Sequence, residues 1–144
     1  MSDYPPVAEL VPHEAPMLAL DELVFAEPGR ATARLTLTDD MLFVKDGRLD
    51  TVITLEYMAQ TVAACLGHEA LAEGGTVRVG MVVACRTMTV HRPVLLVGEV
   101  LHCEVERVRG TSDVSLFTGL TRDGGGEVVA EVSMTLVHGE RPQA

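Results

Sequence analysis

The chain of 144 residues has no tryptophan, two tyrosines and three phenylalanines. Valine, leucine, alanine and methionine therefore have to fill its core. Cations are scarce as well: 11 Lys and Arg against 21 Asp and Glu give a formal net charge of −10. That excludes bulk electrostatic binding of nucleic acid or of an anionic membrane surface. The three cysteines, Cys65, Cys85 and Cys103, are odd in number, lie among apolar neighbours and fall in no CxxC or Cys/His spacing. They read as small buried thiols. The histidines, His13, His68, His91, His102 and His138, are scattered without ligand spacing, so no metal is expected, and no cofactor either. G-x-G-x-x-G after a strand, the Walker loop, H-E-x-x-H and G-x-S-x-G are all missing. The run Gly124–Gly126 lies between strand-like segments and opens no helix, which argues against a phosphate cradle. The first residues lack both a basic start and an apolar run, so no export signal is expected and a cytoplasmic setting follows as the default.

What the sequence does have is one long helix-prone stretch with no proline and a single internal glycine, Gly67. Residues 51–73, TVITLEYMAQTVAACLGHEALAE, are rich in helix formers and are expected to form a central helix. Its apolar residues go nearly all the way round, and a helix apolar on every face is buried on every face. It has no continuous apolar run of membrane-spanning length. Asp50 or Thr51 offers the N-cap, and Gly74-Gly75 ends it. Within the first turns stand Glu56 and Gln60, four apart and so on one face. A carboxyl there has two readings. It is either a half-solvated Glu favoured by the helix dipole or a general acid/base in a pocket.

The flanking segments read as strands. Residues 1–16 carry four prolines and form an irregular lead-in, with one short helical turn at Val7–Leu10. His13 sits in this lead-in, as a solvated loop residue or one held in place by Pro12 and Pro16. Strands are expected at Met17–Ala26 and Ala31–Thr38, then a loop over residues 39–50 turning at Lys45-Asp46-Gly47. Four more follow at Thr76–Val90, Val97–Arg109, Thr111–Arg122 and Glu127–His138, the last three as an antiparallel meander. In the segment Thr111–Arg122, Val114, Leu116 and Leu120 are expected on the apolar face. Residues 139–144 form a tail expected to fray. The expected fold is α+β, a single domain of residues 1–144 with an antiparallel sheet curled around one central helix.

Three pieces, VPHEAPMLALDEL (Val11–Leu23), LEYMAQ (Leu55–Gln60) and VGMVVACRTMTVHRPVLLVGEVL (Val79–Leu101), occur in this order. Together they resemble the hot-dog-fold 3-hydroxyacyl-[acyl-carrier-protein] dehydratases, and most closely the ApeP-like branch associated with aryl polyene biosynthesis. The resemblance implies a hot-dog fold, a homodimer through paired sheets and an active site at the subunit interface. It further implies that Glu56 acts with a histidine on the β-hydroxyacyl thioester and that Gln60 positions Glu56. Backbone N–H groups around Thr51 and Val52 would polarise the thioester carbonyl, as a helix N-terminus can. In the fatty-acid branch the catalytic histidine precedes the carboxylate by about fourteen residues. Here that position is Leu42, and residues 39–50 contain no histidine. His13, in a Pro-His-x-x-Pro-Met setting, either supplies the base or the dehydratase chemistry has been lost.

The leading expectation is therefore loss of water from a 3-hydroxyacyl thioester on acyl carrier protein. His13 would take the α-proton and Glu56 would donate to the departing hydroxyl. Leu42, Phe43, Met58 and Val62 would line the acyl pocket. The alternatives are thioester hydrolysis, with Glu56 activating water, and a non-catalytic hot-dog subunit that binds acyl chains or stabilises a catalytic partner. Acyl carrier protein is acidic, so a local basic patch is expected among Arg78, Arg86, His91, Arg92, Arg107 and Arg109.

Overall fold

The computed structural model describes residues 3–11, 17–74, 81–110 and 113–137. A helical turn α1 (Val7–Leu10) precedes the hairpin β1 (Glu22–Glu27) and β2 (Arg30–Thr36). A short strand β3 (Arg48–Asp50) leads through a 3-10 turn (Thr51–Ile53) into α2 (Thr54–Ala72). The strands β4 (Met81–Val90), β5 (Val94–Leu96), β6 (Val100–Gly110), β7 (Val114–Arg122) and β8 (Val128–Val137) follow. Six strands form one sheet in the order β1-β2-β6-β7-β8-β4, each described pair antiparallel. Among the described residues, no helix is long and apolar enough to cross a membrane.

Helix α2 is buried as its composition predicts. Gln60 to Gly67 are consecutive buried residues, and small side chains at Ala63, Ala64, Cys65 and Gly67 let neighbours approach closely. One side lies on the sheet, where Ala31, Ala33, Leu35, Leu101, Cys103 and Val105 point inward with the expected alternation. Another side is covered by α1, whose Val7 and Leu10, followed by Val11, join the same core. Each fully buried Leu or Met contributes about 1.5–3 kcal/mol of hydrophobic stabilisation. The thiols of Cys65 and Cys103 sit in this core, and burial pushes them up to about 12 and about 11 respectively. They are inert structural side chains.

Four expectations need correction. The first strand begins at Glu22, not Met17, because the Gln60 side chain, not a neighbouring strand, takes the Met17 carbonyl and the Ala19 N–H. In β7 the apolar alternation is inverted. Ser115, Phe117, Gly119 and Thr121 face the helix, while Val114, Leu116 and Leu120 lie on the outer face. Space is tight on that face: a β-carbon on Gly119 would come 3.2 Å from both the Met58 sulfur and Val132 Cγ1, so glycine lets the helix approach closely. Cys85 is exposed on β4, where register shifts at Val82/Ala84 and Cys85/Thr87 break strict alternation. The two-stranded sheet of β3 and β5 was not anticipated, since three-residue strands carry too little periodicity to read. The loop turn was: Asp46 and Gly47 both adopt positive φ, closing a bridge between Lys45 and Arg48.

Candidate active site

The site is built from the helix start outward. Glu56 is half-buried in the first turn of α2, and Gln60, one turn on, is fully buried. The Gln60 amide uses both ends. Its Nε2 donates to Glu56 Oε1 at 3.0 Å and to the Met17 carbonyl at 2.7 Å, and its Oε1 accepts from the Ala19 N–H at 2.9 Å. The network fixes which end is which, because only the amide nitrogen can donate to a carbonyl. One side chain thus orients the carboxyl and ties Met17–Ala19 to the helix.

Beside Glu56 lies an open cavity of about 370 Å³. Met17–Ala19 and Asp21 form one wall, Thr36 and Thr38 another, residues 40–43 a third, with Ile53, Glu56 and Tyr57 from the helix. This size suits part of an acyl chain plus a polar head. Asp21 braces the strand end, its Oδ2 accepting from the Thr36 N–H at 2.8 Å. Phe43 is 62% exposed and has φ of +71°, a left-handed conformation that a bulky residue rarely adopts. The Tyr57 hydroxyl is buried without a hydrogen-bond partner among the described residues, and burial pushes its phenol up to about 12, with Cys103 and Glu56 adding.

A family model described as ApeP dehydratase, of the ApeP-like group, matches residues 5–144. The chain belongs to the ApeP-like dehydratase family. No curated protein sequence matches it. Among solved structures, the dehydratase heterocomplex ApeI:P from Xenorhabdus doucetiae matches with a TM-score of 0.88 at 22% identity, covering 96% of this chain and 93% of that one. A hypothetical thioesterase with coenzyme A from Streptococcus pneumoniae matches with a TM-score of 0.67 at 12% identity, covering 83% and 87%. The E. coli PaaI protein from the phenylacetic acid degradation operon matches with a TM-score of 0.65 at 15% identity, covering 81% of each. The fold of this dehydratase-family chain is the hot-dog fold.

Of the residues expected in the site, Glu56, Gln60, Leu42 and Phe43 come together, Gln60 behind the carboxyl and the others at the cavity. Met58 and Val62 do not line it. Both are fully buried in the core, Met58 with its sulfur against Gly119 of the sheet. Thr51 and Val52 are also displaced from their expected role. The Thr51 N–H donates to the Pro93 carbonyl at 3.0 Å, and the Val52 N–H to Asp50 Oδ1 at 3.0 Å. Both donors are engaged at the helix start in this structure. His13 lies outside the described residues, as does Arg78. Reading by sequence missed Tyr57, Asp21, Thr36 and Thr38. Tyr57 alone carried a signal, as a phenol beside the candidate carboxyl. Among the described residues, no group of three His, Cys, Asp or Glu is placed to hold a metal.

Proposed function

We propose that this chain removes water from a 3-hydroxyacyl thioester carried on acyl carrier protein, giving the trans-2-enoyl thioester, in fatty acid or aryl polyene type biosynthesis. The observation that carries the reading is the Glu56 carboxyl, oriented by buried Gln60 at the wall of an acyl-sized cavity in a dehydratase-family chain. His13 removes the α-proton, and the C–H pair becomes the new C=C bond. The C–O bond breaks as Glu56 hands its proton to the departing hydroxyl, which leaves as water. Return of the proton from His13 to Glu56 resets the site. His13 stands four residues before Met17, whose carbonyl Gln60 holds, and this sequence proximity supports its role.

Acyl carrier protein is the proposed carrier. Arg92 is bonded to Glu99 and Asp123, Arg107 to Glu69, and His91 to Glu131. Arg86 and Arg109 are exposed and flank one groove with Val114 and Leu116. They are the proposed contacts for an acidic carrier, and replacing both with Glu should weaken carrier binding while sparing turnover of a small thioester. The chain is also proposed to assemble with a second hot-dog chain through β4, the ten-residue strand at one edge of the sheet. The partner is a second copy or, as the ApeI:P complex suggests for its own chains, a different hot-dog subunit.

A second reading has specific support. No histidine lies in residues 39–50 and the expected carbonyl donors are engaged, which favours a subunit that binds the acyl chain beside a catalytic partner. Absorbance-monitored dehydration by the purified chain, alone and with an added hot-dog partner, separates the two. Under the first reading Glu56→Gln and His13→Ala each lower turnover by about 10²–10⁴-fold. Wild-type turnover in Glu56→Gln refutes it, and free acid as product replaces it with thioester hydrolysis.

A further inference from the structure

Gly67 is buried on α2, and a methyl group there would overlap the Leu10 carbonyl oxygen and come within 2.9 Å of the Leu10 carbonyl carbon. The obstacle is backbone, so no rotamer change relieves it. Next to this contact, the Tyr4 ring meets His68 edge-on with centroids 5.7 Å apart. Seven residues along in each segment comes the second grip, where Gln60 holds Met17 and Ala19. Seven residues make nearly two helical turns, so Gly67 and Gln60 share one stripe of α2 and stand about 10.5 Å apart along its axis. Glu56 continues that stripe one turn further.

We infer that Gly67 is a positioning residue: it and Gln60 clamp the two ends of the 10–17 stretch onto the helix that carries Glu56. This rests on the dehydratase reading, since the stretch between the clamps contains His13. Gly67 touches neither the cavity nor the carboxyl. It acts by letting the Leu10 backbone sit flush on α2, and any side chain lifts that end of the lead-in.

The test is Gly67→Ala, with Tyr4→Leu as a milder loosening of the same contact should the first variant fold poorly. Hydrogen exchange gives the direct readout. Protection of the Ala19 amide, bonded to Gln60, should fall in Gly67→Ala while the amides of β6 and β7 keep theirs. In turnover, Gly67→Ala should lose about a hundredfold or more in the wild-type background, as small misplacements of catalytic groups do. It should lose less than about twofold in a His13→Ala background, because a base that is already gone cannot be displaced. Equal losses in both backgrounds, or exchange loosened throughout the sheet, would show general destabilisation and overturn the inference. Unchanged Ala19 protection in a folded Gly67→Ala overturns it too. If wild type itself turns nothing over, the dehydratase reading has failed, and the exchange pattern still decides whether Gly67 clamps the lead-in.

Discussion

Replacing Gln60 with methionine tests the logic of the site most directly, because the swap keeps length and flexibility while deleting the amide. Gln60 is fully buried and makes three hydrogen bonds. Two of its partners are backbone groups, the Met17 carbonyl and the Ala19 N–H. A buried polar group left without a partner costs about 1–3 kcal/mol. Both bonds are only part-buried, so the sum falls at roughly 2–4 kcal/mol, with little added for volume. Urea unfolding should show a lower midpoint at unchanged slope. Gln60→Glu sharpens the case. Its carboxylate keeps the Ala19 bond but faces Glu56 four residues away, and like charges raise the pair's affinity for protons. A raised carboxyl pKa in the folded state means stability is present at low pH and lost as pH rises past the unfolded value of about 4.3. Gln60→Glu should therefore be closer to wild type at pH 5 than at pH 8, in stability and in turnover. Gln60→Met within 0.5 kcal/mol of wild type, or a pH-independent Gln60→Glu, would refute the reasoning.

Three further outcomes follow from single features. Burial pushes the Cys103 thiol up to about 11, so unfolded chains release that proton first and stability should drop between about pH 9 and 11, by roughly 3 kcal/mol for this thiol. Unfolding titrations on Cys103→Ala should show a shallower alkaline loss. Maleimide should label the exposed Cys85 and spare Cys65 and Cys103 in the isolated chain, and a hot-dog partner seated on β4 should protect Cys85. Phe43→Gly should stabilise the fold by about 1 kcal/mol by removing a left-handed φ, while raising KM through loss of an apolar wall. Unchanged stability in that variant would mean the loop carries no such strain.

Helix and sheet were legible for different reasons. Residues 51–73 announced a buried helix because no face was polar, and α2 is buried through its middle turns. The strands β2 and β6 alternate because their inward residues are also their apolar ones, and β8 does so from Ala130 on, after Val129 and Ala130 are buried in succession. β7 misled because Ser115, Gly119 and Thr121 share the inner face with Phe117, Gly119 packing close to Met58, while the leucines lie outward. In the site, Glu56 and Gln60 stood out by their spacing on one helix face, and the family resemblance supplied the roles expected of them. Met58 and Val62 did not, because an all-round apolar helix gives no sign of which side meets the sheet and which the cavity. The engagement of the Thr51 N–H by Pro93 depends on the contact between the helix start and the link joining β4 to β5, a long-range meeting that no local pattern encodes.

The same burial gradient explains why a carboxyl stands where it does. From Gln60 to Gly67 α2 has no exposed face, so an ionisable group there would need a dedicated partner. Glu69, two residues beyond that stretch and half-buried, also has one: Arg107 binds it bidentately at 3.0 and 2.9 Å while the Gly29 N–H donates to it. That arrangement consumes the carboxylate and locks it as structure, pinning the far end of the helix to the sheet. Glu56 stands at the other end, where Ile53, Leu55 and Ala59 are only half-buried and the helix opens onto the cavity. Gln60 donates to its carboxyl through a neutral amide and helps to hold it in place. Glu69 is thus tied to a guanidinium, while the Glu56 carboxyl takes an amide donor at the wall of the cavity. Placing an arginine at Gln60 would convert the second arrangement into the first and should abolish proton donation even in a fully folded chain.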